Sequence, residues 1–262
     1  MRTLIYLLVF SCLGTARIHA QKSEYSGVTA SLGGSAMVYQ GDLTPKQFGD
    51  WQQANLGLQA SAMIPVTRNL GIRVALQYGT LDGDDKRYEG WRRLRAFSFK
   101  STATEVSLLL QWELSGQHWE WPEEDRYGAN FQQRKYKRLF PYVFAGVGYL
   151  NNAVTRNMDG IDSVYFKGDV AWENYYLEKN TVYKSTMAVL PVGVGAHLFL
   201  SPSVRLYAEY SYHMLFNDHL DGFGMAVVSG KSDAYQTLTI GLDFRFLKHN
   251  ARRKNEMCYL GL

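Results

Sequence analysis

The sequence predicts an all-β chain: an eight-stranded antiparallel transmembrane β-barrel of up-and-down order with a filled lumen. Three observations predict it. Apolar residues recur at every second position in eight separate stretches, and no stretch repeats with the helical period. The connections between the stretches alternate between short turns and long polar loops. The chain also opens with the pattern of a secretory leader.

The leader is MRTLIYLLVFSCLGTARIHA. It has Arg2, an apolar run from Leu4 to Leu13 and the small residue Ala20, after which cleavage is expected. The run is too short for a stable anchor. Acylation at Cys12 would make a lipoprotein, but Phe10, two residues earlier, is bulky for that signal. Cleavage removes Arg2 and Arg17 and no acid, so the net charge falls from +4 by 2 to +2, too weak to point to nucleic acid. It leaves Cys258 as the sole cysteine, which cannot close an internal disulfide. An inert thiol near a chain end and a link to a partner chain both fit. Mean hydropathy is −0.24. Past the leader, no apolar run reaches the roughly 18 residues a spanning helix needs.

Eight strands follow in order. GVTASLGGSAMVY (27–39) puts Val28, Ala30, Leu32, Ala36 and Val38 on one face. NLGLQASAMI (55–64) aligns Leu56, Leu58, Ala60, Ala62 and Ile64, and PVTRN (65–69) is a tight turn. LGIRVALQY (70–78) sets Leu70, Ile72, Val74, Leu76 and Tyr78 against Gly71, Arg73, Ala75 and Gln77. TEVSLLLQWEL (104–114) sets Val106, Leu108, Leu110, Trp112 and Leu114 against Glu105, Ser107, Leu109, Gln111 and Glu113. PYVFAGVGYLN (141–151) is apolar on both faces and leaves its parity open. VLPVGVGAHLFL (189–200) aligns Leu190, Val192, Val194, Ala196 and Leu198, and SPS (201–203) is a second tight turn. VRLYAEYSYHMLF (204–216) opposes Val204, Leu206, Ala208, Tyr210, Tyr212, Met214 and Phe216 to Arg205, Tyr207, Glu209, Ser211 and His213. TLTIGLDFRF (237–246) alternates Leu238, Ile240, Leu242, Phe244 and Phe246 with Thr239, Gly241, Asp243 and Arg245.

Each stretch matches the about 9–11 tilted residues that cross a bilayer as a strand. The long connections are 40–54, 79–103, 152–188 and 217–234. Alternation alone also fits a sandwich with a dry core. The leader, the wide apolar faces and the aromatics near strand ends favour the barrel. Tyr39, Tyr78, Trp112, Tyr149 and Phe246 fall where interfacial girdles belong. In hydrocarbon every backbone amide must be paired, which a closed sheet achieves. The domains are then a leader (1–20), the barrel (21–247) and a basic periplasmic tail (248–262).

The faces opposite the apolar rows meet inside. They carry Arg73, Arg205 and Arg245 with Glu105, Glu113, Glu209 and Asp243, three cations and four anions able to pair. Eight strands leave an interior that side chains just fill, so a paired, plugged lumen is expected rather than a conducting pore. Glu209, Ser211 and His213 share one face, which allows a Ser–His dyad. No GxSxG elbow or HExxH helix accompanies them, and lumen filler is the preferred reading. The turn at 201–203 pairs His197 with about residue 207 and His213 with about 191, placing the two histidines roughly 20 Å apart, too far to share an ion. Asp82, Asp84, Asp85, Asp218 and Asp221 lie on the long loops. They suit a cation or a bridge to lipopolysaccharide, and turn chemistry with glycine equally. No cofactor is expected.

Several stretches carry a family likeness: YQGDL (39–43), YGTLDGDD (78–85), FSFKS (97–101) with Glu105, PYVFAGVGYL (141–150), LPVGVG (190–195) and LFNDHLDG (215–222). In this order they resemble the PorG-type outer-membrane β-barrels of Bacteroidota, a component family of the type IX secretion system. The resemblance spans nearly the whole mature chain. Thr239, Gly241, Phe244 and Phe246 also resemble the signal read by the barrel-assembly machinery, although LKHNARRKNEMCYLGL follows here instead of a chain end.

The resemblance implies a non-enzymatic partner of a periplasmic ring built from a lipoprotein and a second subunit, in a barrel surrounded by outer-membrane lipid. Two segments would face that ring. One is the long turn 115–139 with Arg134, Lys135, Lys137 and Arg138; the other is the tail with Lys248, Arg252, Arg253 and Lys254. Basic residues that merely keep strand ends solvated fit as well. A general barrel for adhesion or envelope integrity, and a lipid-modifying enzyme, are the alternatives.

Overall fold

The computed structural model describes residues 27–67, 69–114, 139–201, 203–217, 219–224 and 233–247. They form one closed antiparallel barrel in which every strand pairs with its sequence neighbours and the last pairs with the first. The strands are β1 (Gly27–Gln40), β2 (Asn55–Pro65), β3 (Leu70–Asp84), β4 (Ser98–Glu113), β5 (Leu139–Asn157), β6 (Thr186–Ser201), β7 (Val204–Leu215) and β8 (Ala234–Leu247).

Closure sets the tilt. Register partners lead from Ile64 of β2 through Ile72, Leu110, Ala145, Val192, Tyr212 and Gln236 to Val38 of β1. The β1–β2 ladder would place Ile64 at Val28, so one circuit climbs ten residues, from 28 to 38. That shear puts the strands at the steep end of the usual about 35–45° tilt.

The period-two pattern decides the two faces. Leu32, Leu56, Leu58, Val74, Leu76, Val106, Leu108, Leu110, Val147, Val194 and Ile240 stand exposed on the outer wall, and the residues between them are buried inside. β5, whose parity its sequence left open, turns Pro141, Ala145, Val147 and Tyr149 outward and Phe140, Tyr142, Phe144 and Leu150 inward. The short turns are held locally. The Thr67 hydroxyl accepts from Leu70 N at 3.0 Å, and the Ser201 hydroxyl from Val204 N at 3.0 Å.

Three expectations need correction. The connection 79–103 is strand at both ends: β3 runs on to Asp84 and β4 starts at Ser98, paired one to one up to Asp84↔Ser98. β5 likewise continues to Asn157, six residues past the expected 151. Its outward side chains there are Asn151, Ala153, Thr155 and Asn157, polar or small, so apolar alternation stops while the backbone ladder does not. Tyr39 is not a girdle residue. Its odd number puts it on the inward row of β1, where it is buried, whereas Tyr78, Trp112, Tyr149 and Phe246 are exposed outside.

Above the barrel the long connections fold. L1 (41–54) contains a helical turn at Trp51–Gln53, and L2 (85–97) has a turn at Asp85–Arg87 and helix α1 (Trp91–Arg95). L3 (158–185) carries helices α2 (Val170–Glu173) and α3 (Tyr175–Asn180). L4 runs from 216 to 233.

Candidate functional site

The lumen is filled by polar layers stacked along its axis, closed at the long-loop end by an apolar lid. The lowest layer lies at the short-turn end. Arg205 and Asp243 face each other in register on β7 and β8, with Nη2 to Oδ2 at 2.9 Å. His197 of β6 reaches both sides. Its Nδ1 is 2.9 Å from Asp243 Oδ2 and its Nε2 is 3.3 Å from Glu113 Oε1. Gln111 donates to Glu113 at 2.8 Å. Arg245 is half-buried nearby, its side chain passing beside Gly27.

The middle layer crosses the barrel. Arg73 of β3 donates to Glu209 of β7 at 2.8 Å, and these two strands stand opposite one another in the ring of eight. Glu209 also accepts from Gln59 at 2.7 Å and from Tyr142 at 2.8 Å. The Arg73 guanidinium lies over the Phe144 ring, 4.4 Å from its centroid. The buried Glu209 carboxylate is thus met by three donors, where an isolated charge would cost several kcal/mol.

The upper layer is built on Glu105 of β4. It accepts from Ser107 at 2.8 Å and from Tyr235, and its Oε2 is 2.9 Å from His213 Nδ1. His213 stacks on Tyr235 with centroids 4.2 Å apart. Histidines therefore share in the lumen pairing: His213 meets Glu105, and His197 meets Glu113 and Asp243. Neither histidine belongs to the charge network expected from the sequence.

Above this the interior turns apolar. Met37, Tyr39, Leu81, Phe99, Leu150, Val189 and Leu215 from the strands pack with Leu43, Phe97, Met158, Tyr175, Leu220 and Phe223 from the four loops. Tyr39 ties the lid. Its hydroxyl donates to Asp221 at 2.8 Å and lies 3.2 Å from Asp233, while its ring meets Phe99 edge-on at 4.7 Å. Ion pairs brace the loops. Asp85 is held by Arg95 at 2.5 and 2.9 Å, and Arg156 binds Glu178 at 2.9 Å. In L1 the Lys46 ammonium, 2.6 Å away, holds the Asp50 carboxyl below its usual range.

The loop acids thus have structural partners. Asp85 and Asp221 are buried in the lid, Asp82 pairs with Arg87 at 2.8 Å, and Asp84 caps the turn that follows it. Asp218 lies outside the described residues. Among the described residues no cluster of three or more His, Cys, Asp or Glu fits a metal ion. The register pairs His197 with Tyr207 and His213 with Pro191. Ser211 and His213 are buried in the lumen beneath the lid, with the His213 ring turned to Glu105. Thr239 is buried on the inward row of β8, Gly241 makes room for the Tyr207 ring, and Phe244 and Phe246 are exposed outside. Arg134, Lys135, Lys137, Arg138, Lys248, Arg252, Arg253, Lys254, Cys258 and the leader all lie outside the described residues.

No family model and no curated protein sequence matches the chain. Solved structures of small outer-membrane proteins are similar to it. Ail, the attachment invasion locus protein of Yersinia pestis, is 12% identical over 84% of this chain and 99% of that one, with a TM-score of 0.43. Neisserial surface protein A is 16% identical over 84% and 98%, with a TM-score of 0.45. A major outer membrane protein from Thermus thermophilus is 16% identical over 84% and 100%, with a TM-score of 0.44. Likeness this distant says nothing of activity.

Proposed function

We propose that the chain is a non-enzymatic outer-membrane barrel that works by contact: it anchors and presents protein surface and passes no solute. The observation that carries this reading is the pairing of an apolar outer wall with a lumen closed twice, by crossing ion pairs and by the lid. An apolar exterior over a closed backbone ladder is what a bilayer requires. The finer reading is that the contact serves type IX secretion, steadying the periplasmic ring from the membrane. Its support is the sequence resemblance. Five of the stretches that carry it converge in the lid: Tyr39 and Leu43 of the first, Leu81 of the second, Phe97 and Phe99 of the third, Leu150 of the fourth, and Leu220 of the last.

A strain lacking the gene, assayed for export of secreted cargo, tests the finer reading. Lost export with intact membrane integrity supports it; normal export removes it. Deleting 248–262 should weaken co-purification with the ring while the barrel still folds, and unchanged co-purification takes the tail out of the account.

A second reading is a surface barrel for adhesion or envelope integrity. It is favoured by L3, whose Val164, Tyr165, Tyr176, Leu177 and Val182 are exposed above the barrel. Normal export combined with lost surface binding or weakened envelope in the deletion strain selects it. A lipid-modifying enzyme is disfavoured by the enclosure of Ser211 and His213. Unaltered lipid A after replacing both with alanine dismisses it.

A further inference from the structure

A polar notch interrupts the apolar outer wall where β8 closes on β1. Gln236 points outward from β8, in register with Tyr212 of β7 and Val38 of β1. Facing lipid, its bare amide would be costly. It is instead 1% exposed. Its amide nitrogen donates to Gln40 Oε1 at 2.8 Å and to the Phe48 carbonyl at 3.0 Å, and its Oε1 accepts from Tyr210 at 2.7 Å.

The cover is L1. The chain leaves β1 at Gln40, bends at Gly49 with φ +67°, and lies back down the outside of the barrel. Gly49 approaches so closely that a Cβ there would sit 2.6 Å from Val38 Cγ1, which explains why outward-facing Val38 is buried. Trp51 reaches further, its ring 6.3 Å from that of Tyr210. Tyr210 is flanked in register by Val194 and Leu238, both exposed on the wall. With the climb of ten residues per circuit, Tyr210 lies roughly 7–8 Å inside the level of Tyr78 and Tyr149. L1 nevertheless leaves Phe48, whose carbonyl lies at Gln236, 65% exposed and Trp51, beside Tyr210, 39% exposed.

We propose that L1 is a hook set into the outer leaflet, with Phe48 and Trp51 seated at the boundary of headgroups and acyl chains, across the seam that closes the barrel. The inference rests on the outer wall facing lipid. The occupant is lipid because the exposed side of the hook continues the exposed apolar wall of β6 to β8. An indole and a phenyl ring are also the side chains that settle about 5–10 Å into that boundary. Part of L1's polar groups are satisfied within the loop, while Lys46, Gln47 and Gln52 stay exposed at the headgroup level. Gln53 N donates to Asp50 O at 2.9 Å, Gln52 N to Asp50 Oδ1 at 3.2 Å, and Asp50 is paired with Lys46.

Nitroxide labels on the full chain in liposomes test this, in a Cys12→Ala, Cys258→Ser background. Phe48→Cys reads the hook, Leu238→Cys the wall and Val182→Cys the exposed tip of L3. A polar nickel reagent should reach position 48 about tenfold less than 182 and within about twofold of 238. If 48 is as accessible as 182 while 238 stays shielded, the hook is wrong and the lipid-facing wall stands. If 238 is accessible too, both fall. Shielding at 48 that disappears at one barrel per vesicle means that a second copy covers the site, which also overturns the proposal. Gln52→Cys, on the exposed side of the same turn, gives an independent reading should Phe48→Cys fail to fold.

Discussion

Arg73 and Glu209 stand on opposite strands of the barrel and meet at 2.8 Å across its whole width. Glu209 uses its remaining acceptor capacity on Gln59 and Tyr142. Arg73→Ala strands a buried carboxylate. It is expected to destabilise the barrel by about 3–5 kcal/mol. The measurement is urea unfolding in bilayers followed by tryptophan fluorescence. The double variant Arg73→Met, Glu209→Leu should recover about half of that, since Gln59 and Tyr142 then lack an acceptor. Additive losses in the double variant would show that the pair does not interact.

The three polar layers and the lid leave ions no continuous path. The protein in planar bilayers should therefore show no steady unitary conductance. Regular ohmic steps from a purified, folded sample would contradict the plugged lumen and the contact role built on it.

The lid hangs on one hydroxyl. Tyr39→Phe removes the donor to Asp221 and leaves two buried carboxylates less satisfied, at a cost of about 1–3 kcal/mol. The loss should appear locally. Amide exchange at Leu220, whose N–H is bound by Asp233, and at Phe223, bound by Asp221, should speed up. Exchange on the mid-barrel strands should not. Uniform acceleration would mean that lid and barrel unfold together.

Gly195 lies beneath the Tyr142 ring, its cross-strand partner. A Cβ there would sit 2.4 Å from the ring's Cζ, and Tyr142 is held in place by its bond to Glu209. Gly195→Ala should cost about 1–3 kcal/mol through overpacking, against little for Gly34→Ala, where the outer wall is open. Equal effects at the two positions would show that close ring approach is not the cause.

Strand number, strand order and, except on β5, inward or outward facing were legible because each depends on neighbours two residues apart or on the next segment along. The strand extensions beyond Tyr78, before Thr104 and beyond Asn151 were not. Above the membrane both faces meet polar surroundings or the lid, so alternation fades while the ladder continues. L1's return over the wall left only weak traces, a glycine at 49 between two aromatics.

What the sequence determined by itself is the sorting of side chains to two faces, because the strand period of two is a local property of the backbone. It placed Arg73 and Glu209 inside without saying that they touch. That pairing, the histidines matched to Glu105 and Glu113, and the lid around Tyr39 were decided only by the tertiary structure. The shear of a closed sheet fixes which inward residues share a level, and shear belongs to all eight strands together.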